Sequence, residues 1–211
     1  KLDNKNFRKY FSYKLEKSNK KLKNNINTYY LHNPSKNNKV NTKILKEFDY
    51  HKKKFFLNSG ISFDQYSDYN NFFKNYLKYI DTIQIPHNLL DQRWKNKDFQ
   101  KLKKKKIKIA VRSIFLQGLL TSHDEIWPKS LNSHSVKLKK KISFLVHKFK
   151  RLNYMDLCIS YLNSIKDIDK VIIGVNSLKQ LTKVYYLMNL KPLDTKQQLI
   201  VQKTFSNQST Q

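Results

Sequence analysis

Short apolar segments alternate along the chain with longer segments whose apolar residues recur at helical spacing. The short segments predict five strands, at 26–31, 55–61, 82–85, 107–113 and 171–174. The longer ones predict helices at 6–23, 40–53, 64–79, 92–105, 135–151 and 155–164, and another helix from residue 178 onwards. Strands that alternate with helices are typical of right-handed βαβ units. The sequence therefore predicts an α/β fold with a parallel sheet.

The last predicted strand and the helix after it form the most informative local pattern. Residues 171–174 are apolar throughout, which predicts a strand that is covered on both faces. Ser177 followed three residues later by Gln180 is a capping-box signature. A turn that contains Gly174 and leads into a helix leaves backbone N–H groups where an anion can bind. Two interpretations stay open: a phosphate site, or two side chains that only cap the helix.

Polar residues follow the predicted strands where each one ends. In parallel α/β folds the loops after the strands form the ligand-binding face. By this rule the residues of interest are His32, Asn33, Ser62, Gln84, His87, Asn88, Arg112, Ser113 and 176–180. Their convergence on one face is a stronger signal than any single residue, since each one alone also fits a structural role.

Composition limits the kind of protein but not its activity. The 211 residues are 39% hydrophobic and carry a net charge of +28, with 43 Lys and Arg against 15 Asp and Glu. Only four of the basic residues are Arg, so the charge is more typical of biased codon usage than of a nucleic-acid site. The lysine runs 101–106 and 137–141 fall on predicted helices, and solvated helix faces are their commoner explanation. Periodicity fades beyond residue 191, which predicts a tail at 191–211 after a domain at 1–190.

The number of cysteines and the length of the apolar runs indicate the cellular compartment in which the chain is expected. Cys158 is the single cysteine, so we expect neither a disulfide framework nor a cysteine metal site, and a reducing, cytoplasmic compartment is favoured. We expect no membrane span, because apolar runs stay well short of about 20 residues. The sequence has no secretory leader pattern. Since the chain begins with Lys1 instead of Met and its first turn has no start signal, we expect it to be a fragment.

Three segments carry a resemblance to a known family: IQIPHNLLDQRW at 83–94, VRSIFLQGLL at 111–120 and DKVIIGVNSLKQL at 169–181. With weaker support from 15–34, they make the sequence resemble the aldo/keto reductases, and in particular a bacterial branch associated with surface-polysaccharide gene clusters. The resemblance implies a partial (β/α)8 TIM barrel in which strands about 3/4 to 8 are present and the N-terminal βα units are missing.

The resemblance also implies catalytic residues. His32, in LHNP, corresponds to the histidine that orients the substrate, and Lys1, at the end of a third strand, to the catalytic lysine. The aspartate and the tyrosine acid of the family would precede residue 1. His32 also fits a structural role at the end of a strand, which is the commoner one for such a histidine.

Two residues correspond to those that hold the nicotinamide ring. Ser62 matches the family's carboxamide-binding serine, but Phe63 follows it in place of the usual asparagine. Ser62 with Gln65 also fits another capping box. Gln84 matches the glutamine beside the ring, and it also fits a simple bridge between two strands.

Further residues correspond to the rest of the NADP or NAD site. Arg112, followed by Ser113, stands where many relatives carry a tyrosine that stacks on the ring, although Arg112 also fits a pair with a buried carboxylate. Gln180 stands where NADP-preferring relatives carry an arginine for the 2′-phosphate. The residues that match the anion loop are Gly174, Asn176, Ser177 and Gln180.

The resemblance implies an NAD(P)H-dependent oxidoreductase that reduces a small carbonyl substrate, with a sugar-related one suggested by the branch. The expected fragment would be active only if its missing strands were supplied. The alternative is a catalytically inactive basic barrel remnant that binds nucleic acid or an anionic surface, although the few arginines make nucleic acid the less expected partner. The histidines 87, 123, 134 and 147 have no spacing that predicts a metal site.

Overall fold

A computed structural model describes residues 4–122, 127 and 132–206 and shows an α/β fold. Its strands are β1 Thr28–His32, β2 Asn58–Ser62, β3 Thr82–Pro86, β4 Lys108–Arg112 and β5 Lys170–Val171. They form a five-stranded sheet in the order β1-β2-β3-β4-β5. The β1–β2, β2–β3 and β4–β5 pairs are parallel. The prediction of an α/β fold with a parallel sheet is therefore confirmed.

The helices lie close to their predicted positions, with one addition at the end. They are α1 Asn4–Lys21, α2 Asn38–His51, α3 Tyr66–Tyr76, α4 Asn96–Lys104, α5 Asn132–Lys148, α6 Tyr154–Asn163, α7 Leu178–Met188 and α8 Thr195–Phe205. Within the described ranges, each helix is too short or too polar to cross a bilayer. The chain divides into two compact units, 1–85 with 101–109 and 86–100 with 110–211, and each is described by itself below.

The first unit is organised around an aromatic cluster on α2. The ring of Phe48 lies 5.7 Å from Phe11, 5.7 Å from Tyr29 and 5.8 Å from Phe56, measured between centroids. Phe48 is buried, and its contacts with Tyr29 and Phe56 are edge-to-face, the arrangement that the aromatic quadrupole favours. The cluster joins α1, α2 and β1 into one apolar core.

At Gly60, strand β2 of the first unit packs closely against side chains of both neighbouring strands. It pairs in register with Tyr30 on one side and Thr82 on the other. A Cβ atom at this position would lie 2.6 Å from Cδ1 of Tyr30 and 2.8 Å from Cγ2 of Thr82. Both distances are shorter than van der Waals contact, so β2 reaches this packing only with glycine here.

Asp81 ties the amino end of β3 to that of β2. Its Oδ2 atom accepts hydrogen bonds from the backbone N–H of Ser59 at 2.8 Å and from Nζ of Lys52 at 2.7 Å. Burial by itself raises the pKa of the Asp81 carboxyl, but the hydrogen bonds from Lys52 and Ser59 outweigh it and the pKa lies below the ordinary value. The carboxylate thus holds the first residues of β2 and β3 near each other.

The second unit is built on α6, which is buried from Tyr154 to Leu162. Asn153 directly precedes the helix and caps it, since its side chain accepts from the backbone N–H of Asp156 at 3.0 Å. The carboxylate of Asp156 in turn accepts from the backbone N–H of Leu152 at 2.8 Å and from the Ser160 hydroxyl at 2.8 Å. A fully buried acidic side chain is thereby satisfied by its own helix and the turn before it.

Strand β5 differs from its prediction. The structure has two residues in the strand, Lys170 and Val171, where the apolar run predicts four. Ile172, predicted to be covered on both faces, is 41% exposed. Because β5 is the last strand in the sheet order, its pairing is with β4, and the apolar run continues as a loop beyond it.

Helix α8 occupies residues where the fading periodicity predicts a tail. It begins with a complete capping box between Asp194 and Gln197, and Val201 and Phe205 are fully buried. The tail prediction is therefore wrong for Thr195–Phe205, because two buried side chains and a cap suffice to fix a short helix. The domain boundary at 190/191 stays a prediction.

Candidate cofactor site

Three predicted residues lie side by side on neighbouring strands of the first unit. His32 pairs in register with Ser62, and Ser62 with Gln84. In-register residues of adjacent strands share a face of the sheet, and the strands are about 4.8 Å apart. The structure therefore brings His32, Ser62 and Gln84 together at one level, and His32, the last residue of β1, is exposed.

Ser62 and Gln84 are joined by a hydrogen bond. The Ser62 hydroxyl donates to Oε1 of Gln84 at 3.1 Å, and Ser62 is buried. Helix α3 starts after Gln65 without a side-chain cap, so the alternative of a Ser62–Gln65 capping box is wrong. The bridge between strands, by contrast, is present, and it fixes a hydroxyl and an amide beside each other, as recognition of a carboxamide would require.

The predicted anion loop of the second unit lines a cavity of about 640 Å³. Its lining includes residues 172–176, among them Gly174 and Asn176, and three residues of α7. Residues of the loop after β4, between Ser113 and Ser122, and Met155 of α6 also line it, whereas Ser177 and Arg112 do not. The α7 residues are Gln180, Lys183 and Val184.

The start of α7 is capped as its sequence signature predicts. The Ser177 hydroxyl accepts from the backbone N–H of Gln180 at 3.2 Å, and Oε1 of Gln180 accepts from the backbone N–H of Asn176 at 2.7 Å. Mutual capping is thus present. The first turn of a helix has further N–H groups without intrahelical partners, here those of Leu178 and Lys179. A phosphate at this turn stays a prediction.

The loop after β4 has an unusual backbone. Ser113, Leu116 and Gln117 have φ angles of 57°, 46° and 54°, in the left-handed region that residues with a side chain rarely adopt. Nη1 of Arg112 donates to the Ser113 hydroxyl at 3.2 Å, and Nδ2 of Asn88 donates to the Ser113 carbonyl at 3.0 Å. Strained backbone held by several partners is typical of ligand-binding loops.

A buried imidazole lies deeper in the second unit. His87 stacks on Tyr161, with ring centroids 6.0 Å apart, and meets the edge of Phe99 at 5.4 Å. Its Nε2 atom is 3.5 Å from the Tyr161 hydroxyl, while Nδ1 has no hydrogen-bond partner in the part of the chain that the structure describes. Burial lowers the pKa of His87 to about 4, and burial likewise raises the pKa of Tyr161. The imidazole is therefore neutral at pH 7.

Sequence reasoning missed one charged residue of the cavity. Lys183 lies on α7 three residues after Gln180, so the two side chains share a face of the helix. The signal was present, since i and i+3 residues after a capping box point the same way. It was lost among the many lysines of the chain.

Some predicted residues lie outside the described part of the chain. Lys1, the expected catalytic lysine, is one of them, and His123 is another. Within the described residues, His, Cys, Asp and Glu form no group of three that could hold a metal ion.

Comparison of structures shows what the fold is similar to. The holo form of aldo-keto reductase AKR11C1 from Bacillus halodurans matches with a TM-score of 0.76 and 19% identity, over 93% of this chain and 67% of that one. The glycerol dehydrogenase AKR11B4 from Gluconobacter oxydans matches with a TM-score of 0.72 and 16% identity, over 99% of this chain and 66% of that one. At these identities the likeness concerns the fold alone. The chain spans about two thirds of the length of both proteins.

Comparison of sequences gives the family. Curated protein sequences contain no significant match. The model of the aldo/keto reductase family matches residues 4–204. Because this match covers nearly the whole chain, the chain belongs to the aldo/keto reductase family.

Proposed function

We propose that this chain is the nucleotide-binding part of an NAD(P)H-dependent carbonyl reductase. The cavity of the second unit carries the proposal, because residues of the predicted anion loop and of the strained loop after β4 line the same cavity of about 640 Å³. Family membership implies a nicotinamide cofactor and a carbonyl substrate. The cavity lining offers polar groups that such a cofactor needs, namely the amides of Asn176 and Gln180 and the ammonium of Lys183, and the capped start of α7 lies between Asn176 and Gln180 in sequence.

The predicted site residues carry the kinds of polar group that bind a dinucleotide cofactor. In the second unit, Gly174, Asn176 and Gln180 of the cavity lining would hold the phosphates together with Ser177, which caps α7 outside the lining. Further contacts would come from Ser113 of the lining and from Arg112, which is not a lining residue but is hydrogen-bonded to Ser113. In the first unit, the linked Ser62 and Gln84 side chains present a hydroxyl and an amide, the groups that pair with a carboxamide. The cofactor, when bound, supplies the hydride that reduces a carbonyl.

His32 would act on the substrate oxygen. Reduction of a carbonyl leaves negative charge on oxygen, which needs a hydrogen-bond donor and then a proton. The exposed imidazole of His32, beside Ser62 in register, can donate a hydrogen bond and orient the carbonyl. We assign the proton itself to a tyrosine assisted by an aspartate and a lysine, the last being Lys1, with the tyrosine and aspartate in a segment that precedes residue 1.

Three finer points belong to the same proposal. The chain would be an N-terminally truncated part of the barrel, in keeping with its span of two thirds of the similar structures. The substrate would be a small polyhydroxylated, sugar-related carbonyl compound, and the name of the Gluconobacter protein, a glycerol dehydrogenase, supports that chemical class. The compartment would be the cytoplasm.

Cofactor binding tests the proposal directly. NADPH and NADH are titrated into the chain, and binding is followed by nicotinamide fluorescence and by calorimetry. Gly174 lines the cavity, and a Cβ atom there would meet nothing within 4 Å, so substitutions at this site should fold. Gly174→Leu should abolish binding by filling the cavity, whereas the small control Gly174→Ala should retain it. If the unaltered chain binds neither nucleotide, the proposal is wrong.

The catalytic part needs a second experiment. A longer chain that includes the preceding segment of its gene should reduce small aldehydes and ketoses with NADPH, and the present chain should not. In the longer chain, His32→Gln should lower kcat with little change in the Kd of NADPH. Equal loss of NADPH affinity would place His32 at the cofactor and contradict its assigned role.

A further inference from the structure

Helix α5 of the second unit has a buried face and an exposed face. The buried side chains of the helix are those of Ser135, Leu138, Ile142 and Leu145. The exposed side chains between 136 and 148 are those of Val136, Lys137, Lys140, Phe144, His147 and Lys148. With 3.6 residues per turn, the exposed set falls within an arc of about 120° on the side opposite the buried set. One continuous face of α5 is therefore directed outwards.

The exposed face carries positive charge that no acid of the helix offsets. The sequence of α5 contains neither Asp nor Glu, and from 126 to 155 it has eight Lys and Arg without an acidic residue. Lys137, Lys140 and Lys148 are exposed on the helix, and Lys150 is exposed in the turn that follows. Clustered cations attract anionic partners and accelerate their approach.

Apolar side chains lie among these cations. Val136 is 58% exposed and Phe144 59%, and they are eight residues apart, about 12 Å along the helix. Leu152, in the segment after the helix, is 60% exposed. Nζ of Lys148 lies 5.4 Å from the centroid of the Phe144 ring. A single exposed apolar residue is ordinary on a protein surface, whereas three of them among lysines form a surface that is both basic and apolar.

Such a mixed surface fits an anionic lipid membrane. At the level of the headgroups, lysines meet phosphates while neighbouring apolar side chains enter the boundary with the acyl chains. Nucleic acid would also attract the lysines, but it offers no apolar medium to valine and leucine, and its recognition favours arginine forks. A lipid interface is the partner that uses both kinds of exposed side chain on α5.

We propose that the exposed face of α5, with the segment 149–152, docks onto an anionic membrane surface. Phe144 enters the headgroup region, and the lysines pair with lipid phosphates. The chain then lies on the bilayer without crossing it, in keeping with described helices that are too short or too polar to span one. The inference does not rest on the proposed function, because the described lining of the cofactor cavity includes no residue of α5.

The other lysine run of the chain provides a control for charge. Lys104 and Lys105 are exposed, but Leu102, the apolar residue of that run, is buried. The double variants Lys137→Gln/Lys140→Gln and Lys104→Gln/Lys105→Gln remove the same charge, the first pair from the mixed surface and the second from a surface of lysines. All four side chains are exposed, so both variants should fold.

Binding is measured by sedimentation with vesicles of phosphatidylcholine alone and of phosphatidylcholine mixed with phosphatidylglycerol. We expect the unaltered chain to bind the mixed vesicles, to leave the neutral ones unbound and to be released by added salt. Lys137→Gln/Lys140→Gln should weaken binding about 25-fold, because each lysine near an anionic leaflet contributes about fivefold. Lys104→Gln/Lys105→Gln should have a much smaller effect.

The apolar contact has its own test. Phe144→Gln should weaken vesicle binding about tenfold, because the ring no longer leaves water. Tyr185→Gln, which removes an exposed ring from α7, should leave binding unchanged. In Phe144→Trp, brominated lipid should quench the new indole on binding, and this signal is distinct because Trp94 and Trp127 are buried.

Other results overturn the inference in distinct ways. If the unaltered chain does not bind the mixed vesicles, or binds neutral ones equally well, the inference is wrong. If both lysine pairs have equal effects, the general charge of +28 is responsible. If heparin binds and Phe144→Gln weakens vesicle binding no more than heparin binding, the face takes polyanions such as nucleic acid. If Phe144→Gln only turns a dimer into a monomer in analytical ultracentrifugation, the occupant is a second copy of the chain.

Discussion

The buried His87 imidazole should make the second unit sensitive to mild acid, and His87→Phe should remove that sensitivity. Phenylalanine keeps an aromatic ring against Tyr161 and Phe99, the two rings that His87 contacts. It removes the titrating nitrogens, of which Nδ1 is buried without a partner among the described residues. The charged groups that affect His87 are Asp91, which favours its protonated form, and Lys95, which opposes it, but burial is the dominant cause.

The magnitude follows from the two pKa values. In the unfolded chain the imidazole takes up its proton near pH 6.5, and in the folded chain only near pH 4. Between these values the unfolded state binds more protons, so the free energy of unfolding rises with pH across this window and falls on acidification. The full gap corresponds to about 3 kcal/mol, of which about 2 kcal/mol is lost between pH 7 and pH 5. This is a large fraction of the stability of a typical domain.

Tryptophan fluorescence in urea provides the assay, since both tryptophans, Trp94 and Trp127, belong to the second unit. The unaltered chain should lose about 2 kcal/mol more than His87→Phe when the pH is lowered from 7 to 5. His147→Gln, which removes an exposed imidazole from α5, should follow the unaltered chain. A His87→Phe variant with the same loss as the unaltered chain would show that His87 is not the group whose protonation drives unfolding.

Three further substitutions test the packing and the caps. Gly60→Ala should destabilise the first unit by about 1–3 kcal/mol in a urea titration followed by circular dichroism, because the new Cβ overlaps Tyr30 and Thr82; an unchanged midpoint would contradict the close approach. Lys52→Met should raise the pKa of the Asp81 carboxyl and move acid unfolding to higher pH, an effect that the exposed control Lys20→Met should lack. Asp194→Ala should cost about 1 kcal/mol in the tryptophan-monitored urea titration, and a smaller change than about 0.3 kcal/mol would show that α8 does not depend on its capping box.

Helix starts were the features most readily predicted from sequence. Ser177 with Gln180 predicts the start of α7, and the structure has the cap at Ser177. The same rule applies to Asp194 with Gln197, where α8 begins, but the polar surface of this short helix hides its periodicity. Only two of its side chains, Val201 and Phe205, are buried. A cap is a local feature that sequence shows directly, whereas the burial that completes a short helix depends on partners distant in sequence.

Strand ends were predicted less well, because exposure depends on neighbours that composition does not reveal. The run 171–174 has the composition of a covered strand, yet β5 ends at Val171 and Ile172 is exposed. The side-chain pairing of Ser62 with Gln84 was likewise beyond prediction, since it follows from the register of β2 and β3. Polar residues at strand ends could be named from sequence, but which of them bond to each other could not.

The capped start of α7 shows why a structural role and a ligand role need not compete. Ser177 and Gln180 satisfy the N–H groups of Gln180 and Asn176, which a helix start needs whether or not a ligand is present. The same bonds hold the turn rigid, so the N–H groups of Leu178 and Lys179 keep a fixed direction at the positive end of the helix dipole. A rigid turn loses less conformational entropy when an anion binds than a mobile one does. Capping is therefore the condition under which this loop could bind a phosphate well, and the choice between the two interpretations depends on nucleotide binding and not on the geometry of the cap.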